Sequence, residues 1–280
     1  MPVPGFPGGR IAGPPEAASP RVARAYSCRV LALLVLAILV GGSLQRVTGM
    51  GFGLVAGPFI VLLVGPLEGV LLVNVVGAAM ALLIVGRVLR GVDWRRYGWL
   101  AAASVSVSVP AALLLRDASP AALEVGIGSV VVGAMTLALV TSRLRGERRR
   151  FGERDPRPLI VTGVASGFGS VAAGIGGPPL AVYAVLDRWD TKSFAATAQP
   201  FFMTNALAAM AAKIAFADAT FPAFAWWEWL VIAGALVGGI GLGELLAPRL
   251  SREATRRVLI VLAYAGGVAT LVRGLVHLLA

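Results

Sequence analysis

Two short runs in this chain combine residue types that could bind a small anion through the backbone. One is Gly174-Ile175-Gly176-Gly177-Pro178-Pro179. In a helix interior Gly costs about 1 kcal/mol and Pro about 3 kcal/mol, so the run reads as a break. Pro178 and Pro179 suit the first turn of a helix that restarts after it, where an N–H has no intrahelical partner anyway. Gly at the break lets the backbone approach a ligand closely. A restarting helix aims free N–H groups and a partial positive charge at whatever sits there, which favours an anion. The other run, "TGMGFG", carries Thr48, Gly49, Gly51 and Gly53 and has the same character. The alternative reading is that such glycines only permit close helix packing.

Side chains near the two runs could complete such a site. Gln45, Arg46 and Thr48 stand just before the first run, and Arg46 is the arginine set well inside an apolar stretch. Its planar fork of donors suits an oxyanion; the alternative is that it snorkels to an interface. Asn74 and Gln199 place amide donors inside apolar segments, either to bind an oxyanion or to bond between helices. Thr197, Thr204 and Asn205 share the segment of Gln199 and are weaker candidates. The candidate substrate-binding set is therefore Arg46, Thr48, Gly49, Gly51, Gly53, Asn74, Gly174, Gly176, Gly177, Pro178 and Gln199. Lys213 reads as a snorkelling end residue, and Trp226, Trp227 and Trp229 as an interfacial belt.

The elements that must position these residues follow from composition. Hydrophobic residues make up 58% of the 280 and charged residues 14%, and mean hydropathy is +0.83. A soluble domain would carry about 25% charge. Apolar stretches long enough to cross a bilayer follow one another, so the fold class is an all-α polytopic membrane protein in a lipid bilayer. The expected segments are 29–64 (interrupted at the first run), 66–86, 97–115, 121–142, 158–187 (interrupted at the second), 193–217, 224–247 and 254–279. That gives about eight transmembrane segments. Residues 1–27 read as a disordered tail, 28–142 as transmembrane repeat 1, 143–157 as a basic cytoplasmic linker and 158–280 as transmembrane repeat 2.

A shift of 125 positions without gaps supports the duplication: Gly42 meets Gly167, Gly49 meets Gly174, Gly51 meets Gly176, Asn74 meets Gln199 and Asp93 meets Asp218. Arg-rich loops belong on the cytoplasmic side, and 87–96, 143–157 and 249–257 are the Arg-rich ones. All three fall on one side only if 158–187 dips in and returns as a re-entrant hairpin. The same pattern in the first half makes the halves inverted copies, each a hairpin plus three crossings. Arg10, Arg21, Arg24 and Arg29 would then lie outside. Segment 29–47 is also long enough to span alone, which returns the tail to the cytoplasm; the sequence leaves both open. Inverted repeats with broken helices are a recurring plan of secondary transporters, with the binding site where the breaks meet.

The stretches "TGMGFGLVAGPFIVLL" and "GFGSVAAGIGGPPLAVYAVL" resemble the openings of the two halves of the sulfite exporter TauE/SafE family, a broad class of sulfur-anion permeases. Gly49, Gly51, Gly53 and Pro58 carry the first match, in which Phe52 and Leu54 interrupt the family's glycine run. Gly174, Gly176, Gly177, Pro178 and Pro179 carry the second, and the resemblance extends over about 29–279. It implies a multi-pass permease of the cell membrane that moves sulfite, an organosulfonate or a related small anion. Carriage of another small organic acid or ion, or a non-transporting scaffold, are the alternatives.

Other classes fit poorly. The net charge of +11 lies in short clusters between apolar segments, with no aromatic-interleaved basic patch, so no nucleic-acid partner is expected. His277 is the sole histidine, HExxH is absent, and "GVASGFG" puts Ala165 where a nucleophile would stand; no enzyme and no cofactor is expected. Glu68, Glu124, Glu228 and Glu244 all fall near segment ends, so no metal site is expected either. Cys28 stands alone and reads as a free thiol at the membrane edge. A homo-oligomer is compatible with this composition.

Overall fold

The computed structural model describes residues 20–143, 155–249 and 252–279. Ten α-helices follow one another among the described residues: α1 Pro20–Thr48, α2 Phe52–Val64, α3 Pro66–Val88, α4 Trp94–Leu115, α5 Pro120–Arg143, α6 Arg157–Ala173, α7 Gly177–Leu186, α8 Thr191–Phe216, α9 Trp226–Leu246 and α10 Arg252–Leu279. Their starts follow local chemistry. Pro66 opens α3, and Asp93 accepts the Arg96 N–H at 3.0 Å to cap α4. Asp190 accepts the Lys192 and Ser193 N–H groups at 3.1 and 2.9 Å to cap α8. Such caps satisfy N–H groups that the helix itself leaves unpaired.

Helix α1 already begins at Pro20, so the boundary expected at residue 27 is corrected: 20–27 continue the helix, and the rest of the expected tail lies outside the described residues. Most of the 143–157 linker also lies outside them.

Both interrupted segments fold back on themselves. Gly41 on α1 lies against Ala56 and Phe52 on α2. Leu33, Leu36 and Val40 share one groove with Leu62, Phe59 and Val55, so α2 returns antiparallel along α1. In the second half Ile175 N–H bonds Gly169 O at 3.1 Å, and Leu159 packs in one cluster with Leu180 and Tyr183. There α7 returns along α6. In both hairpins the long first arm overshoots the start of the short second arm.

The packing repeats between halves. Helix α1 lies on α9 as α6 lies on α4, α2 meets α10 as α7 meets α5, and α3–α8 and α5–α10 pair across the centre. A hairpin followed by three crossings reverses the starting face, so the two repeats are inverted. One face receives the junctions α3–α4, α5–α6 and α9–α10, which are the Arg-rich segments, and we call it the arginine-rich face. The opposite face receives the start of α1, residues 116–119 and residues 217–225.

Each short arm is tethered at its foot. Arg273 on α10 donates to Leu62 O at 2.6 Å. Arg96 on α4 meets the buried carboxylate of Asp187 at 2.7 Å and stacks 4.5 Å from the Trp189 ring centroid. Leu62 and Asp187 are equivalent under the 125-residue shift.

The expected count of about eight segments, two of them interrupted, compares with six uninterrupted candidate spans. Six described helices are long and apolar enough to cross a membrane: Cys28–Thr48, Pro66–Gly91, Trp94–Leu115, Pro120–Leu137, Trp226–Leu246 and Arg257–Leu279. The rest of the lipid-embedded chain is the short arms, α6 and α8. Helix α8 has 26 residues but carries Thr197, Gln199, Thr204, Asn205 and Lys213. A helix buried in the bundle can afford such residues, because its neighbours rather than lipid surround it.

This arrangement puts the exposed thiol of Cys28 on the face opposite the Arg-rich loops. With the arginine-rich face taken as cytoplasmic, a membrane-impermeant maleimide applied to intact cells is expected to label Cys28. In a Cys28→Ser background it should label Ala118→Cys and spare Arg90→Cys. Labelling of Arg90→Cys but not of Ala118→Cys from outside would reverse the orientation.

Candidate functional site

The site begins with how each break is made. Helix α6 ends at Gly174, whose φ of 70° is left-handed and closes the helix without steric cost to a residue lacking Cβ. Gly51 stands before α2 at φ 135°, again open mainly to glycine. The two breaks touch: a Cβ on Gly53 would stand 2.5 Å from Gly174 O. Between them lies a cavity of about 60 Å³. Gln45 and the first turn of α2 line one side, Ser170 and Gly174–Gly177 the other, and Asn74, Phe202 and Asn205 close it.

No charged side chain lines this cavity. Its polarity is that of helix starts. The Phe52 N–H is taken by Gln45 Oε1 at 3.1 Å, and Val55 N–H already bonds Gly51 O. Among the described residues the N–H groups of Gly53 and Leu54 have no protein acceptor, nor do those of Gly176 and Gly177. Pro178 and Pro179 carry no N–H, so α7 leaves fewer donors unpaired than an ordinary first turn. Gln45 is 5% exposed, spends its oxygen on Phe52, and has no acceptor among the described residues for its side-chain NH₂. Two helix starts, each worth roughly half a positive charge, thus open on one small space.

The two amides equivalent by repeat reach crosswise. Asn74 Nδ2 donates to Ser170 O at 3.2 Å in the second hairpin, and its Oδ1 accepts from Ser170 Oγ at 3.1 Å. Gln199 Nε2 donates to Gly49 O at 3.3 Å in the first hairpin. Each half thereby holds the other half's broken backbone. Asn205 adds a third tie, donating to Ser166 O at 3.3 Å and accepting from Ser104 Oγ at 2.6 Å. Two buried oxygens next to the breaks, Gln199 Oε1 and Ser166 Oγ, have no partner among the described residues.

The family model for sulfite exporter TauE/SafE matches residues 33–270, from within α1 to within α10 and across both breaks. The chain belongs to the sulfite exporter TauE/SafE family. It is a multi-pass membrane protein of a family of transporters. No curated protein and no solved structure matches it.

Within this family member, the structure brings Gly51, Gly53, Asn74, Gly174, Gly176 and Gly177 to one cavity. Pro178 follows directly in the first turn of α7, and Gly49 and Gln199 sit together at the outer side of the first break. Thr48 does not reach the cavity lining; its Oγ1 bonds the backbone of Leu44 and Met50. Arg46 does not reach it either. It lies at the overshooting end of α1 and meets Glu244 at 3.1 Å, with Arg87 on the same carboxylate oxygen at 2.9 Å. Lys213 is not a snorkelling end residue: it is 2% exposed and donates to Val171 O at 3.0 Å. That carbonyl is in the last turn of α6, where no intrahelical N–H is available.

The polar side chains of the lining left out of the candidate set are those of Gln45, Ser170 and Asn205. Gln45 and Ser170 coincide under the same 125-residue shift that pairs Asn74 with Gln199, and that equivalence was the available signal.

A Cβ on Gly176 would collide with the Asn205 amide. Gly176→Ala is expected to cost about 1–3 kcal/mol, seen as a lower melting temperature in detergent. Asn205→Ala frees the space, so Gly176→Ala should cost clearly less in that background. Equal costs in both backgrounds would mean that the contact does not govern the position.

Proposed function

We propose that this chain is a permease that binds a small sulfur oxyanion at the cavity between its two hairpins and moves it across the cytoplasmic membrane. The arginine-rich face is then cytoplasmic, in line with the distribution of positive charge in membrane proteins. The observation that carries the reading is the convergence of two helix starts on one small, uncharged space.

Chemistry and size both support an oxyanion. Unpaired N–H groups in a low-dielectric interior cost several kcal/mol each unless something accepts from them. An oxyanion supplies several acceptor oxygens at once. The two helix dipoles offset about one negative charge without a fixed cation, so the ion can also leave. A carboxylate in the lining would favour a metal cation, and none is there. With about 10–15 Å³ per enclosed water, the cavity of about 60 Å³ suits an ion of four or five heavy atoms. That favours sulfite over a bulkier organosulfonate.

In this reading Gly53, Leu54, Gly176 and Gly177 donate through their backbones, and Gln45 donates through its side-chain NH₂. Asn74, Gln199 and Asn205 hold the hairpins in register.

The test is flux of radiolabelled sulfite into proteoliposomes. Wild type should exceed empty vesicles and prefer sulfite to acetate or taurine. Gln45→Glu keeps the acceptor for Phe52 N–H but turns the donor into a negative oxygen. It is expected to lower flux at least about tenfold, the loss of one hydrogen bond to a charged group, with little change in melting temperature. Unchanged flux in Gln45→Glu would remove the cavity from the transport path.

A further inference from the structure

We propose that Lys213 is a second anion-binding group, a cationic station between the central cavity and the face opposite the arginine-rich loops. This rests on the permease reading above and adds a path to it.

Lys213 is an isolated buried cation. Its Nζ has one protein acceptor, Val171 O, and among the described residues it forms no ion pair. An ammonium has three N–H donors, so two are left over. The helices around it supply no counter-charge. Neither α4 (Trp94–Leu115) nor α6 (Arg157–Ala173) contains an acidic residue. The one acid of α3, Glu68, lines a separate hollow with Glu228, Val30 and Phe224. Asp218, just beyond the end of α8, is exposed. Burying a charge whose partners are neutral is expensive, and an arriving anion removes that cost.

The duplication shows where this cation stands in the plan of the molecule. Gln45 lines the cavity and Arg46 follows it on α1; Ser170 lines the cavity and Val171 follows it on α6. Gln45 and Ser170 are repeat equivalents, so Arg46 and Val171 are too. At the first position the cations are Arg46 and Arg87, which share one oxygen of Glu244. Two guanidinium groups on one carboxylate leave a surplus of positive charge at the arginine-rich face. At the second position the cation is Lys213, gripping Val171. Each hairpin tip thus carries positive charge beyond the uncharged cavity, one toward each face. An anion leaving the cavity toward the opposite face meets Lys213. The flexible four-carbon stem allows the ammonium to exchange a carbonyl for an oxyanion.

The test compares Lys213→Arg, Lys213→Gln and Lys213→Met in proteoliposomes, with KM and maximal rate for sulfite and the melting temperature of each variant. Lys213→Arg is expected to keep a KM within a few-fold of wild type. Lys213→Gln, which retains a donor for Val171 O, and Lys213→Met are expected to raise KM at least about tenfold, with Lys213→Gln melting near wild type. If Lys213→Gln transports with the wild-type KM, the lysine only satisfies the helix end and the station is overturned; this holds even if Lys213→Met fails to fold. Loss of flux in Gln45→Glu alongside a wild-type KM in Lys213→Gln would leave the permease reading standing without the station. Wild-type flux equal to empty vesicles, for sulfite and for other small oxyanions, would end that reading and this proposal with it.

Discussion

Unpaired backbone groups cannot be left in hydrocarbon, and this constraint shapes the whole molecule. Two helices are broken inside the bundle, and each break exposes carbonyls on one side and N–H groups on the other. The carbonyl side is satisfied by side chains from elsewhere. Asn74 serves Ser170 O, Gln199 serves Gly49 O and Lys213 serves Val171 O. The N–H side is satisfied at Phe52 by Gln45 and otherwise opens on the cavity. Four backbone N–H groups and the Gln45 NH₂ remain against one unpaired amide oxygen, Gln199 Oε1, and the hydroxyl of Ser166, so the balance at the cavity favours something that accepts hydrogen bonds.

Duplication explains why the donors converge. Inverted copies place one break from each side, and the crosswise amides lock them tip to tip. The halves are not identical. Met80 packs against Gly42, whereas its repeat equivalent Asn205 donates to Ser166 O and accepts from Ser104 Oγ. The second half therefore supplies more polar ties, and the first half supplies Gln45. Inverted halves around a shared site are also the physical basis for access from either side of a membrane.

The breaks were legible because Gly and Pro clusters have few other uses inside apolar sequence. The second hairpin was legible from the distribution of arginines, the first was left open because 29–47 is long enough to span alone, and Asn74 with Gln199 followed from the repeat. What was not legible depended on distant partners. Arg46 looks central because apolar residues surround it in sequence, but α1 overshoots its partner arm and delivers it to Glu244, 198 residues away. Lys213 looks terminal because α8 ends soon after it, but α6 reaches the same depth and presents a carbonyl there. Gln45 was visible as a neighbour of the first break; that its oxygen would cap Phe52 and free its NH₂ required the fold of the hairpin.

The central claim is that an oxyanion sits between two helix starts. Selenite has the pyramidal shape of sulfite and a heavier central atom that scatters X-rays anomalously. Anomalous diffraction from crystals of the wild-type protein with selenite tests the claim directly. The account predicts a selenium peak between the amides of Gly53–Leu54 and those of Gly176–Gly177, within hydrogen-bonding reach of Gln45. A peak elsewhere in the bundle, with the two breaks packed against each other and no ion between them, would contradict it.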